Sequence, residues 1–277
     1  MTYRIDSGSE NLITAATKSV RIFLFFGLIS SFFFLRLDPS LAGTSSLSDT
    51  IDRIKPAIVA VGTYQKTRRP PAIFRGTGFV IKDGLYVVTN AHVLPDKIDK
   101  DKREHIAVFA GIGEIADVRE ATTVATNSDH DLAVLKITGP PLPALVLGDS
   151  ARVREGESYA FTGFPLGMVF GLHPVTHRGT ISAITPIVIP QLSAQLLEKN
   201  VVARLISPYD VFQLDATAYP GNSGSPLYDP ATGQVVGIIN KVFIQSTKES
   251  AIEKPSGISY AVPINSLREL LKKVGLQ

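Results

Sequence analysis

The stretch Asp215-Ala216-Thr217-Ala218-Tyr219-Pro220-Gly221-Asn222-Ser223-Gly224-Ser225-Pro226-Leu227 sets a serine between glycines and just ahead of an apolar segment. Glycine reaches backbone dihedrals closed to other residues, so Gly221 and Gly224 permit a tight turn around Ser223. In such a turn the N–H groups of Gly221 and Ser223 can converge on one point and stabilise a developing oxyanion there. An ordinary hairpin loop would use the same residues, so the turn alone does not decide its purpose. The turn leads into a strand. The strained serine turn of α/β-hydrolases instead leads into a helix and needs the chain order Ser, Asp, His, which this sequence does not have.

Upstream, Tyr86-Val87-Val88-Thr89-Asn90-Ala91-His92-Val93 delivers a histidine at the end of an apolar strand. Histidine has an unperturbed pKa suited to taking a proton from a hydroxyl near neutral pH. Further on, Ser128-Asp129-His130-Asp131-Leu132-Ala133-Val134-Leu135 places an acid directly before a strand of buried type. An aspartate so placed can turn one oxygen toward the core and accept the Nδ1 proton of a histidine, fixing its tautomer. Each segment is weak alone, because lone histidines are mostly structural and aspartates often precede strands as turn residues. Asp129 competes with Asp131 for this position, and Asp131 is preferred because it abuts the strand. The three signals gain weight from their order, His92 and Asp131 in the first half and Ser223 in the second.

Composition narrows the field. With 277 residues, 44% hydrophobic and 19% charged, the chain can bury a sizeable core. Its net charge of +3 comes from 28 basic and 25 acidic residues that are interspersed, so no basic stripe points to nucleic acid. The charged stretches Asp96 to Glu104 and Lys66 to Pro71 read as solvated loops. There is no cysteine, which excludes disulfides, zinc-thiolate sites and a cysteine nucleophile.

The N-terminus reads as an export segment. A polar stretch with Lys18 and Arg21 leads into the apolar run Ile22 to Leu35, short for a membrane span and suited to a signal peptide, with Ser40-Leu41-Ala42 as a cleavage site. Residues 1–42 are thus expected to be a signal peptide cut after Ala42. The rival is an uncleaved membrane anchor over residues 20–37, favoured by the long preceding region and by Arg36. Either way residues 43–277 are exported, periplasmic or secreted, and any membrane contact is through this segment alone.

From Ile51 on, short runs rich in β-branched residues recur between turn signals: Ala57 to Val61, Thr77 to Ile81, Leu85 to Thr89, Ile106 to Phe109, Leu132 to Ile137, Gly179 to Ile184, Val235 to Asn240 and Ile258 to Val262. Many short strands so spaced predict an all-β barrel or sandwich. One helix closes the chain, with Ser266 and Glu269 as a capping box, Leu267, Leu270, Leu271 and Val274 as its apolar stripe and Gly275 at its stop. A second short helix is expected near Leu47 to Lys55. Ile187 to Asp210 reads as an insertion, weakly helical over Pro190 to Asn200, and the proline-rich Gly139 to Pro143 is the candidate boundary between two halves.

These segments together resemble the trypsin-like serine peptidases and, within them, the HtrA/Deg type. The likeness runs from Leu47 to Leu271 and adds Gly76-Thr77-Gly78-Phe79-Val80-Ile81, Gly163-Phe164-Pro165-Leu166-Gly167, Arg178-Gly179-Thr180-Ile181-Ser182-Ala183 and Ile258-Ser259-Tyr260-Ala261-Val262-Pro263-Ile264-Asn265. It implies an all-β fold of two six-stranded antiparallel β-barrels, about 50–140 and about 144–264, with a closing helix 266–274 and the site in the cleft between barrels. It also implies a serine endopeptidase acting on exported or misfolded polypeptides. Ser223 would attack the carbonyl, His92 would move the proton, Asp131 would orient His92, and the Gly221 and Ser223 amides would hold the oxyanion, with no metal or organic cofactor.

Where the chain departs from that family's pattern, the expectations change. Ser225 replaces a glycine, as in glutamyl endopeptidases, but those carry a histidine where this chain has Ile239. Thr217 would sit at the base of the specificity pocket, where a trypsin has aspartate. Thr217 and Ile239 therefore predict a small or medium apolar residue before the cut, with Lys241 beside the pocket as the dissenting feature. Asn222 replaces the aspartate that pairs with a freed N-terminus in zymogens, so control by loops is expected instead. With the sequence ending at Gln277, no PDZ domain is expected. The resemblance leaves a homo-oligomer, a trimer, open. The rival functions are a catalytically silent, chaperone-like module that binds extended peptides by β-addition, and a serine esterase.

Overall fold

The computed structural model describes residues 46–113, 116–165, 171–186, 209–240 and 257–276. The export segment, Pro190 to Asn200, Lys241 and most of the insertion lie outside the described residues, and so do Leu166 and Gly167.

Strands β1 (Ile58–Tyr64), β2 (Ala72–Ile81), β3 (Tyr86–Asn90), β4 (His105–Ala110), β5 (Asp117–Asn127) and β6 (Leu132–Ile137) close a barrel in the order β1-β2-β3-β6-β5-β4. Strands β7 (Ser158–Gly163), β8 (Val175–Pro186), β9 (Asp210–Leu214), β10 (Pro226–Tyr228), β11 (Val235–Asn240) and β12 (Ser259–Pro263) close a second barrel in the order β7-β8-β9-β12-β11-β10, the same winding. Every pairing within the barrels is antiparallel. Closure leaves neither sheet an open edge strand. The all-β double barrel implied by the resemblance is the fold observed.

The strands most legible in the sequence are those buried on both faces. Val235–Asn240 is buried throughout, and Leu132–Ile137 everywhere except Lys136. Strand β5 offers no such run because it faces outward: only Arg119, Ala121 and Ala125 turn in, while Val118 and Val124 are exposed. Its buried cation is neutralised by Asp117 and capped by the Pro140 carbonyl.

Helix α1 (Leu47–Ile54) carries a full capping box between Ser46 and Asp49. The closing helix α2 (Ile264–Lys273) does not, contrary to the expectation from its sequence. It starts at Ile264 with Pro263 as a cap that makes no side-chain bond, so Ser266 and Glu269 lie inside it. The physical reason is tertiary. Asn265 donates from its amide to Ser150 Oγ (3.1 Å) and from Nδ2 to Asp149 Oδ1 (2.9 Å), and Arg268 donates to the Leu147 and Gly148 carbonyls. The buried stripe is Ile264, Leu267, Leu270 and Leu271, whereas Val274 is exposed.

The two charged loops are also more than solvated surface. Arg68 donates to Glu104 Oε1 at 2.6 Å, to Thr63 Oγ1 and to the Pro71 carbonyl, while Glu104 Oε2 accepts from the Asp99 amide. That amide and the Arg68 guanidinium hold the Glu104 carboxyl down at about 2.

Candidate active site

Pairing of β3 with β6 sets Asn90 opposite Leu132, so the residues just beyond these strand ends must meet. Beyond Asn90 the chain makes a single 3-10 turn, Ala91–Val93, that presents His92. Beyond Leu132 stands Asp131 with φ of 54°, in the left-handed region that aspartate tolerates better than most residues. This conformation folds the carboxylate back onto the turn. His92 donates its amide to Asp131 Oδ1 (2.9 Å), and His92 Nδ1 lies 2.5 Å from Asp131 Oδ2. The Asp131 carbonyl accepts from the Ala91 amide and from Asn90 Nδ2. Asp131 is buried and the His92 ring is about one-third exposed, so the carboxylate faces the protein and the imidazole reaches solvent. Asp129 is exposed on the preceding loop.

A third group reaches this carboxylate from the other barrel. Asn240, the last residue of β11, donates from Nδ2 to Asp131 Oδ2 at 2.9 Å. Nothing local marks Asn240 in the sequence, because its partner is 109 residues away.

Ser223 sits in a turn held from both barrels. Gly221 and Gly224 have φ of 100° and 88°. A Cβ on Gly224 would fall 2.0 Å from the Thr77 carbonyl oxygen, so only glycine fits there. Thr77 of β2 is the main stitch. Its amide donates to the Ser223 carbonyl (2.9 Å), and its hydroxyl donates to the Gly221 carbonyl (2.7 Å) while accepting from the Phe164 amide (3.0 Å). From the second barrel, the Gly224 amide donates to the Ile239 carbonyl and the Ile239 amide to the Ser225 carbonyl, both at 2.9 Å. Thr77 lies in the quoted Gly76-Thr77-Gly78 segment, but its role shows only once the barrels meet.

The structure therefore brings His92 and Asp131 into direct contact and places Ser223 at the seam where β2 and β11 hold its turn. It does not join Ser223 to His92: no hydrogen bond links Ser223 Oγ to the imidazole. The amides of Gly221 and Ser223 donate to no described residue. Thr217 is half-buried in a loop fastened to β12, where Ser259 Oγ accepts from the Ala218 amide (2.8 Å) and donates to the Ala216 carbonyl. Ile239 is fully buried beside Ala216 and Ala218 in the second barrel's core. Asn222 is fully buried, with neither amide atom paired among the described residues. Among the described residues no cluster of His, Asp or Glu could hold a metal ion.

Residues 76–238, which include His92, Asp131 and Ser223, match the trypsin-like peptidase domain. The chain belongs to the trypsin-like peptidase family. Within it the relatives are of the HtrA/Deg type. The mitochondrial serine protease HTRA2 of Bos taurus is 33% identical over 232 residues, 82% of this chain and 43% of that protein. Serine protease HTRA1A of Danio rerio is 31% identical over 81% of this chain and 40% of its own length. A DegP-like periplasmic serine endoprotease of Halomonas elongata is 34% identical over 69% of this chain and 33% of its own length. The chain thus spans less than half the length of these relatives. A solved HtrA-type protease, AlgW with a tripeptide, superposes with a TM-score of 0.59 at 27% identity, covering 83% of this chain and 63% of that one. In this trypsin-like peptidase, no described helix is long and apolar enough to cross a membrane.

Proposed function

We propose that this chain is an exported serine endopeptidase that cuts polypeptides through an acyl-enzyme. The observation that carries the reading is the buried Asp131 carboxylate, which grips both the backbone and Nδ1 of His92 and leaves Nε2 directed away from it. Ser223 Oγ attacks the scissile carbonyl and His92 takes its proton. Asp131 fixes the imidazole tautomer and stabilises the imidazolium, and the amides of Gly221 and Ser223, which donate to no described residue, receive the oxyanion. Each such donor is worth about 2.7–4 kcal/mol in the transition state. Thr217 and Ile239, neither charged, support cleavage after a small or medium apolar residue. Exported or misfolded proteins are the substrate class, as export and the periplasmic relatives suggest.

The experiment is digestion of a denatured-protein peptide mixture by residues 43–277, with cut sites read by mass spectrometry and Ser223→Ala as control. Cuts absent from the control and clustered after apolar residues are expected. Clustering after Glu or Lys overturns the pocket assignment.

One observation favours a second reading, a silent peptide-binding module: Ser223 is not hydrogen-bonded to His92. A fluorophosphonate probe separates the two. Labelling of wild type at Ser223, with or without added peptide, supports the peptidase, and a folded protein that never labels supports the silent module.

A further inference from the structure

Arg75 occupies the irregularity in the pairing of β1 with β2. Val61 stands opposite Gly76 and Gly62 opposite Phe74, so Arg75 is the extra residue of a β-bulge. Bulges bend a strand and re-aim a side chain. Here the guanidinium is turned onto the chain just after His92, where Nε donates to the Val93 carbonyl at 2.7 Å and Nη2 to the Leu94 carbonyl at 3.4 Å. Those bonds leave Nη1 with no partner among the described residues. No carboxylate among them lies within ion-pair distance of Arg75, although Arg68, Lys102, Arg119 and Arg154 each have one. Arg75 is thus an exposed cation with no acidic partner among the described residues, held on the chain just after His92.

Its place relative to a substrate is set by the reaction and rests on the peptidase reading. The acyl half of the substrate lies on the second barrel, where Thr217 and Ile239 are. His92 returns its proton to the leaving amine, so the residues after the scissile bond depart across His92 toward the first barrel. There they meet the turn Ala91–Val93 and the part of β2 before Phe79, whose edge away from β1 pairs with no described strand. Gly76 packs so closely on this seam that a Cβ there would lie 2.9 Å from the Ser223 carbonyl oxygen. Arg75 is one residue away.

We propose that Arg75 is a specificity-determining residue that selects an acidic side chain at one of the first two positions after the scissile bond. The free Nη1 supplies a charge-assisted hydrogen bond to that carboxylate, and the two carbonyl bonds pre-order the guanidinium. The rim of the cleft is solvated, so the preference is modest, about 10-fold in kcat/KM for Glu over Lys.

The test uses quenched fluorescent peptides built on a site found in the digestion, with Glu, Gln or Lys in turn at each of the two positions after the cut. The readout is the Glu-to-Lys ratio of kcat/KM within each variant, which cancels differences in the amount of folded enzyme. Wild type should favour Glu about 10-fold at one of the two positions. Arg75→Lys should keep most of that ratio, Arg75→Gln should bring it to about 1, and Arg75→Glu should reverse it. A wild-type ratio near 1 at both positions, or one unchanged in Arg75→Gln, overturns the assignment while leaving the peptidase intact. Failure of wild type to cut any peptide overturns the peptidase reading and this inference with it.

Discussion

Asn240 Nδ2 donates to Asp131 Oδ2 at 2.9 Å, on the same oxygen that faces His92 Nδ1 at 2.5 Å, so the carboxylate that holds the histidine is itself held by the opposite barrel. A hydrogen bond to a charged group is worth about 1.5–3 kcal/mol. Asn240→Ala should lower kcat about 10- to 100-fold with KM changed less than about 2-fold, because the bond orients a catalytic group rather than the substrate. Asn240→Asp sets a second carboxyl against Asp131 Oδ2 in place of the amide donor, and should lower kcat at least as far. Steady-state kinetics across pH checks both.

Asp131 also holds a backbone conformation that few side chains accept, with φ of 54°. Asparagine tolerates that region, so Asp131→Asn should lower the urea midpoint less than Asp131→Ala does, while kcat falls about 10⁴-fold through the wrong histidine tautomer. Asp131→Ala should lose stability as well, about 1–3 kcal/mol, and Asp131→Gly should recover part of it because glycine carries no strain there. Urea denaturation followed by fluorescence gives the order.

Thr77 is fully buried, and its hydroxyl links the Gly221 carbonyl to the Phe164 amide. Thr77→Val keeps the shape and strands both partners, for a loss of about 1–3 kcal/mol. Because the Gly221 peptide belongs to the oxyanion turn, kcat should fall more than KM rises, and Thr77→Ser should retain most activity. Kinetics of the two variants side by side would show it.

Glu104, well below its ordinary pKa at about 2, ties the loop after His92 to Arg68. A carboxyl whose folded pKa is depressed contributes stability that is fully present above its unfolded value of 4.5 and is lost as pH falls from there toward 2. Glu104→Gln should therefore lower stability by about 2 kcal/mol at pH 7, and the gap from wild type should close as pH falls toward 2. Denaturant melts at several pH values measure the gap directly.

Short-ranged signals are the ones legible in the sequence. The continuous apolar runs of β6 and β11 announce strands because both faces are buried, whereas β5 shows one thin inward face and leaves no comparable run. Ser266 and Glu269 have the right spacing for a capping box, yet Asn265 binds Asp149 and Ser150, more than a hundred residues away, and the helix starts earlier.

The same division runs through the site. By itself the sequence determined the glycine-framed turn at Ser223, the strand ends that carry His92 and Asp131, and their order, since dihedral freedom and side-chain periodicity belong to adjacent residues. The closed barrels decided what the turn and the carboxylate lean on. Thr77 reaches Gly221 across 144 residues and Asn240 reaches Asp131 across 109, and such bonds form only after strands distant in the chain have been brought together and water has been excluded from between them.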